Sequence, residues 1–348
     1  MLPTLDMQVR RTGCFDDYLC PRQTGQLKGF FAILIIVHHL ASRTRDGYFF
    51  SYFGNTGYLA VGFFFFISGY GLMLQYKEKE EGYIETFLSN RLRKVVLPFA
   101  VAMVVYYIAN RILDADFSLN GALQSFAAGK PYVLFSWYVM AIILFYLIFY
   151  ASARICKENY PRMVLVISAG LLIYSVLCYQ LGFERHWYKT CTSFLLGTVW
   201  GIYDEPISKW LEKKWIPTLC VSLFGFLFFF YRAVQTETGS LGYFLFLHYL
   251  SSAFFCITVA VAGKKVRLNS RILTYLGDIS YEIYLSQGLA MLLLRNDFRY
   301  QQSDYLFTVG VLLGTFLIAV PFSKIDSLLL QLGERRRYAA SVGDLKNK

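Results

Sequence analysis

Leu27-Lys28-Gly29-Phe30-Phe31-Ala32-Ile33-Leu34-Ile35-Ile36-Val37-His38-His39 opens the first apolar run with a cation at one end and two imidazoles inside it. The second run carries Phe63-Phe64-Phe65-Phe66-Ile67-Ser68-Gly69-Tyr70. A charged side chain at the centre of a lipid-embedded helix costs about 2.5–3.5 kcal/mol, so such groups face a protein interior or a wet cavity. This stretch therefore predicts a membrane-embedded chain with a working site between its first helices.

Composition agrees. Apolar residues make up 56% of the chain and charged residues 16%, against about 25% charged in soluble domains. The 32 Phe and 27 Tyr suit lipid-facing surfaces and interfacial belts. The net charge of +11 sits in short clusters between apolar runs, which argues for membrane-flanking loops and against nucleic acid as a partner. The seven Cys and four His have no metal-ligand spacing, so no metal is expected. No secretory signal pattern precedes the first run.

A span needs about 20 mostly apolar residues. Ten are predicted: 27–44, 56–76, 95–113, 132–153, 163–183, 188–203, 215–232, 240–263, 272–294 and 305–323. The sixth is short, and the ninth contains Asp278 and Glu282. Of the 34 Lys and Arg, 25 fall in the tails and alternate loops on one side. The positive-inside rule places that side in the cytoplasm. The expectation is one all-α polytopic membrane domain over 27–332, between cytoplasmic tails at 1–26 and 333–348.

Lys28 and His39 are eleven residues apart, which returns to within about 20° of the same helix face after a rise of about 16 Å. His38 points elsewhere. Ser68-Gly69-Tyr70-Gly71 reads either as wall or as close helix packing. Arg91, Arg93 and Lys94, ahead of Pro98, read as a lipid-headgroup anchor or as a site for an anionic ligand. In the ninth span Asp278 is a candidate helix cap, while Glu282 and Gln287 lie deeper. His248 is as readily structural as functional. Toward the outer face lie Arg43, Arg45, Arg111, Asp114, Asp116, Glu184, Arg185 and His186, mostly solvated loop residues, some within reach of a polar acceptor.

Taken in order, these motifs resemble the acyltransferase-3 family of integral membrane acyltransferases. That family opens with Leu-Arg-Gly and a His eleven residues after the Arg, here Leu27-Lys28-Gly29 and His39. It continues with a Gly-Tyr-Leu motif running to Ser-Gly, here Gly57-Tyr58-Leu59 and Val61 through Gly69. A basic stretch ending in Pro follows, here Asn90 through Pro98, then Trp137-Tyr138. Last come Gly277, Ser280-Tyr281 and Tyr284-Leu285. Lys28 replaces the usual Arg, Gly62 a frequent Asp, and Gln287 a frequent His.

The resemblance implies transfer of an acyl group, commonly acetyl, from cytoplasmic acyl-CoA to a hydroxyl of a glycan or similar envelope acceptor. No bound cofactor is implied, since acyl-CoA is a co-substrate. His39 is then the catalytic residue, as general base or transient acyl carrier, and Lys28, Arg91, Arg93 and Lys94 bind the donor. His38, Ser68, Tyr70, Trp137, Tyr281, Glu282 and Gln287 line or support the channel. The expected location is a plasma membrane, that of a bacterial cytoplasmic membrane, in contact with its lipids. The sequence leaves oligomeric state open. The competing reading is a secondary transporter or flippase using Lys28, His39 and Glu282 as a relay. That reading expects broken helices and inverted repeats, and no repeat is visible.

Overall fold

The computed structural model describes residues 6–44, 48–113, 117–236, 239–294 and 303–346. It is almost wholly helical, so the expected all-α polytopic architecture is observed. The helices are α1 (Pro21–Ala41), α2 (Gly57–Leu113), α3 (Leu119–Ala127), α4 (Trp137–Cys156), α5 (Tyr160–Gln180) and α6 (Thr192–Ile202). They continue with α7 (Asp204–Gln235), α8 (Leu241–Gly263), α9 (Arg271–Asp278), α10 (Ser280–Leu294) and α11 (Asp304–Lys346). Two short strands, β1 (Asp6–Val9) and β2 (Val266–Asn269), pair antiparallel with Asp6 opposite Asn269.

Among the described residues, eight helical segments are long and apolar enough to cross a membrane. They coincide with eight of the ten predicted spans. The other two positions hold helices that are too short. The sixth, α6, has 11 residues, about 16 Å of rise. It lies against α2 with its face largely buried. A short helix is tolerated there because irregular backbone at membrane depth is sheltered by protein. The ninth is not one helix: it breaks at Ile279 into α9 and α10. Ser280 donates its hydroxyl to the Gly277 carbonyl across the break at 2.8 Å. Asp278 therefore ends α9 rather than lying within a continuous span.

The second and third spans form one helical run of 57 residues. A straight helix of that length would be about 85 Å long, far beyond the ~30 Å hydrocarbon core. It bends back on itself instead, because Arg91 Nη2 donates to Gln75 Oε1 at 2.7 Å across sixteen positions. In α7, Pro217 removes a backbone donor and crowds the carbonyl four residues earlier, and the helix kinks at Lys214. The expected tails are also structured. Residues 14, 15, 18 and 19 are buried, and α11 continues past 333 to Lys346.

The loops fall into two groups. At one end, Trp200 Nε1 donates to the Tyr18 hydroxyl at 2.7 Å, and Lys77 Nζ to the Ile202 carbonyl at 3.1 Å. Arg93 binds the Leu330 carbonyl at 2.9 Å, and β1 and β2 join the N-terminal segment to the α8–α9 loop. At the other end, the Tyr174 hydroxyl donates to the Trp187 carbonyl at 2.8 Å, Lys189 lies over Tyr58, and Arg185 over Phe244. The densely basic segments meet at the first end.

Glycines set the closest helix approaches. A Cβ on Gly197 would overlap the Phe66 carbonyl, and one on Gly69 the Phe194 carbonyl, so α2 and α6 touch backbone to backbone. Of the two readings of Ser68-Gly69, packing therefore holds for Gly69.

Candidate functional site

Three cavities run in series from the basic end of the bundle to the other. The first is a surface cleft of about 400 Å³ where α2 bends, lined by Gln75, Lys79, Tyr83, Arg91, Arg93 and Lys94. It shares Arg91 and Lys94 with an inner cavity of about 240 Å³. That cavity shares Ile35, Val61 and Tyr284 with an outer cavity of about 510 Å³. The three shared apolar and aromatic side chains form the waist between the two chambers.

One stripe of α1 follows the whole route. Lys28, Ala32 and Ile35 line the inner cavity, and Ile35, His39 and Arg43 the outer one. The spacing of 4, 3 and 4 keeps Lys28, Ala32, Ile35 and His39 on one helical face, and Arg43 follows just past the end of α1. Sequence periodicity alone had linked Lys28 to His39, and both sit on this path. Opposite them stand Val61, Phe64 and Ser68 of α2, Tyr281, Tyr284 and Gln287 of α10, and Tyr138 and Tyr146 of α4. The fourth helix, apart from Trp137, was not foreseen as a wall. Its tyrosines carried no charge to flag them.

The His39 ring stacks on Phe135 with centroids 3.6 Å apart and planes 16° from parallel. Among the described residues no group hydrogen-bonds its nitrogens, so they face the outer cavity. Phe135 adopts φ +65°, a left-handed conformation that is costly for a bulky residue. The Tyr284 hydroxyl donates to the Phe135 carbonyl and pins that conformation. Backbone strain of this kind persists where surrounding contacts over-determine it. Here it sets the plane against which the imidazole rests. His38 is differently held: its Nδ1 donates to the Phe53 carbonyl at 3.1 Å, and its ring packs on Gly57. Its Nε2 is then the unprotonated nitrogen of the neutral ring.

At the basic end, Arg91 is aimed by Gln75 and by the Tyr83 hydroxyl, the latter at 3.1 Å. Arg93 borders the cleft, but its guanidinium donates to the Leu329 and Leu330 carbonyls of α11 at 3.1 and 2.9 Å. It does not reach the inner cavity. The Tyr281 hydroxyl donates to the Val95 carbonyl at 2.9 Å and ties α10 to α2. Gln287 Nε2 donates to the Tyr284 carbonyl at 3.3 Å, and among the described residues its Oε1 has no partner.

Two expected channel residues lie elsewhere. Tyr70 donates to Asp204 Oδ1 at 3.1 Å and fastens α2 to the start of α7. Glu282 lines neither chamber, and among the described residues its Oε2 has no hydrogen-bond partner. Among the described residues, His248 hydrogen-bonds only within its own helix, its Nδ1 donating to the Phe244 carbonyl at 2.9 Å.

The outer cavity adds Lys130, Glu184, His186 and Lys189 to the histidine pair. Of the outer loop residues noted in the sequence, Arg45, Asp114 and Asp116 lie outside the described residues. His186 Nδ1 is 3.3 Å from Glu184 Oε2, and its ring contacts Trp137 and Trp187. Burial pushes the His186 imidazole down to about 4, outweighing the nearby Glu184 carboxylate, with the Lys189 charge acting in the same direction. The ring is neutral at pH 7.

Comparison with known proteins follows the same path. The acyltransferase-3 family model, described as an acyltransferase domain, matches residues 25–324. No curated protein and no solved structure matches the chain. The matched segment contains α1, the α2 bend, the fourth-helix wall and α10, which together line the cavity series. The chain therefore belongs to the acyltransferase-3 family of membrane acyltransferases.

Proposed function

We propose that this membrane acyltransferase moves an acyl group, acetyl as the expected case, from acyl-CoA on the cytoplasmic side to a hydroxyl presented at the opposite face. The observation that carries this reading is the row of three cavities with shared walls. Two cations join the cleft to the inner chamber, and a narrow waist joins that chamber to His39. The 16 Å rise from Lys28 to His39 is about half of the ~30 Å hydrocarbon core. An extended pantetheine arm spans a comparable length.

In this arrangement Arg91 and Lys94 bind phosphates of the nucleotide in the cleft, with charge-assisted hydrogen bonds that a planar guanidinium makes bidentate. Lys28 lies further in and meets the start of the arm. The apolar inner chamber takes the arm, and the thioester passes the waist at Ile35, Val61 and Tyr284. The acceptor hydroxyl oxygen attacks the thioester carbonyl carbon, and its proton passes to a free nitrogen of His39. The C–O bond forms and the C–S bond breaks. The CoA sulfur leaves as thiolate and takes the proton back from the imidazolium, so the enzyme returns to its starting state. A neutral imidazole suits this role because one ring nitrogen can accept a proton.

The break between α9 and α10 and the kink of α7 near Pro217 are features that the transporter reading expected. Membership of an acyltransferase family decides against that reading. The vectorial test uses sealed right-side-out vesicles with acetyl-CoA loaded inside and acceptor supplied outside. Acylation of the outside acceptor supports the through-membrane route. Transfer only when both substrates share the cytoplasmic side rejects that route, and absence of thioester consumption in any arrangement rejects the transfer itself.

A further inference from the structure

The outer chamber carries more positive charge than its end of the molecule would supply by chance. Only nine Lys and Arg lie in the five sparsely charged loops, yet Arg43, Lys130 and Lys189 all line this one cavity. Among the described residues a single carboxylate, Glu184, shares the lining, so one negative charge faces three positive ones. Two of these cations are turned inward, and Lys130 stands exposed at the edge. The Arg43 guanidinium lies 5.8 Å from the Phe135 ring centre, on the ring that backs His39, and the Lys189 ammonium lies 5.0 Å from that of Tyr58.

The donor has no use for these charges. Its phosphates belong to the cleft around Arg91 and Lys94, on the far side of the inner chamber. The remaining walls include the aromatic side chains of Tyr58, Phe135 and Trp137. Flat aromatic faces beside polar groups suit the apolar faces of a sugar ring. A volume of about 510 Å³ falls within the usual range for a small-molecule site, about 300–1,000 Å³.

We infer that the acceptor is an acidic saccharide, whose phosphate or carboxylate rests between Arg43, Lys130 and Lys189 while a nearby hydroxyl faces His39. The inference rests on the acyl-transfer reading for the purpose of the hydroxyl, and on the cavity alone for the acid. Both kinds of acid share the needed chemistry, a compact anion able to accept several charge-assisted hydrogen bonds.

The test uses the purified full-length protein and three probes with one ring: methyl glucoside, methyl glucuronide and methyl glucoside 6-phosphate. Thermal stabilisation is titrated for each, and acetyl-CoA consumption is followed in parallel. At least one acidic sugar is expected to stabilise the protein at about one tenth of the concentration required for the neutral one, the advantage of one charge-assisted hydrogen bond. The better acid identifies the group. Lys189→Gln and Arg43→Gln should each erase that advantage while leaving the neutral sugar unaffected, and added salt should weaken it.

Equal effects of neutral and acidic sugars, or no effect of any, overturn the inference. So does loss of the acid preference when anionic lipid is added, which assigns the cations to lipid headgroups. Acid-specific stabilisation without acetyl-CoA consumption keeps the anion site and removes the acyl-transfer reading. Consumption at equal rates with all three sugars does the reverse.

Discussion

Replacing His39 by alanine separates the proposed base from its neighbour more cleanly than any other change. The ring has no described hydrogen-bond partner, so its loss leaves no protein group unsatisfied. What is lost structurally is the stack on Phe135, worth about 0.5–1.5 kcal/mol beyond burial. The variant should therefore insert and fold. Removal of a general base lowers rate by about 10²–10⁴-fold, which is about 2.7–5.4 kcal/mol of transition-state stabilisation. The fall should appear in kcat, with the acyl-CoA KM nearly unchanged, because the nucleotide cleft lies at the other end of the route. His38→Ala is the matched control. It removes one hydrogen bond to the Phe53 carbonyl, costing about 1 kcal/mol of stability, and should leave turnover within about threefold. The assay is CoA thiol release from acetyl-CoA by purified protein, with acceptor present. Retention of more than about a tenth of wild-type turnover by His39→Ala would refute the reasoning. Equal losses in the two variants would also refute it.

Three further outcomes are expected. Lys94→Gln should raise the acyl-CoA KM by about tenfold, whereas Arg93→Gln, which frees two α11 carbonyls, should lower thermal stability and leave KM nearly alone; the opposite pattern would exchange their roles. Gly197→Ala should lower the yield of folded protein, since its Cβ would press on the Phe66 carbonyl and such overpacking costs about 1–3 kcal/mol or more; Gly71→Ala, which meets open space, should not. Because the folded His186 pKa lies below its unfolded value, the unfolded chain binds the extra proton between about pH 6.5 and about pH 4, and stability is lost as pH falls through that window. The unfolding midpoint of wild type should drop more steeply on acidification than that of His186→Gln, and parallel curves would count against buried neutral His186.

Hydropathy, charge and periodicity were enough for the coarse architecture. Transfer into lipid is nearly a sum over neighbouring residues, so apolar runs mark passes without knowledge of their partners. The 25 cations on alternate loops separate the same two loop groups that the contacts bring together at opposite ends. Helical repeat alone put Lys28 and His39 on one stripe. The tertiary structure decided what depends on long-range neighbours. The ninth span breaks because α9 packs backbone-close against α1, where a Cβ on Gly277 would overlap the Gly25 carbonyl. The sixth can be short because α2 and its other neighbours cover it. Arg91 and Arg93 are two residues apart in chemically equivalent positions, yet α11 claims one and leaves the other to the cavity. Tyr284, Lys130 and Lys189 become a waist and an outer lining only when α1, α2, α4 and α10 converge. A sequence records which side chains are present and how they repeat along one helix. Which of them share a cavity is set by contacts between segments hundreds of residues apart.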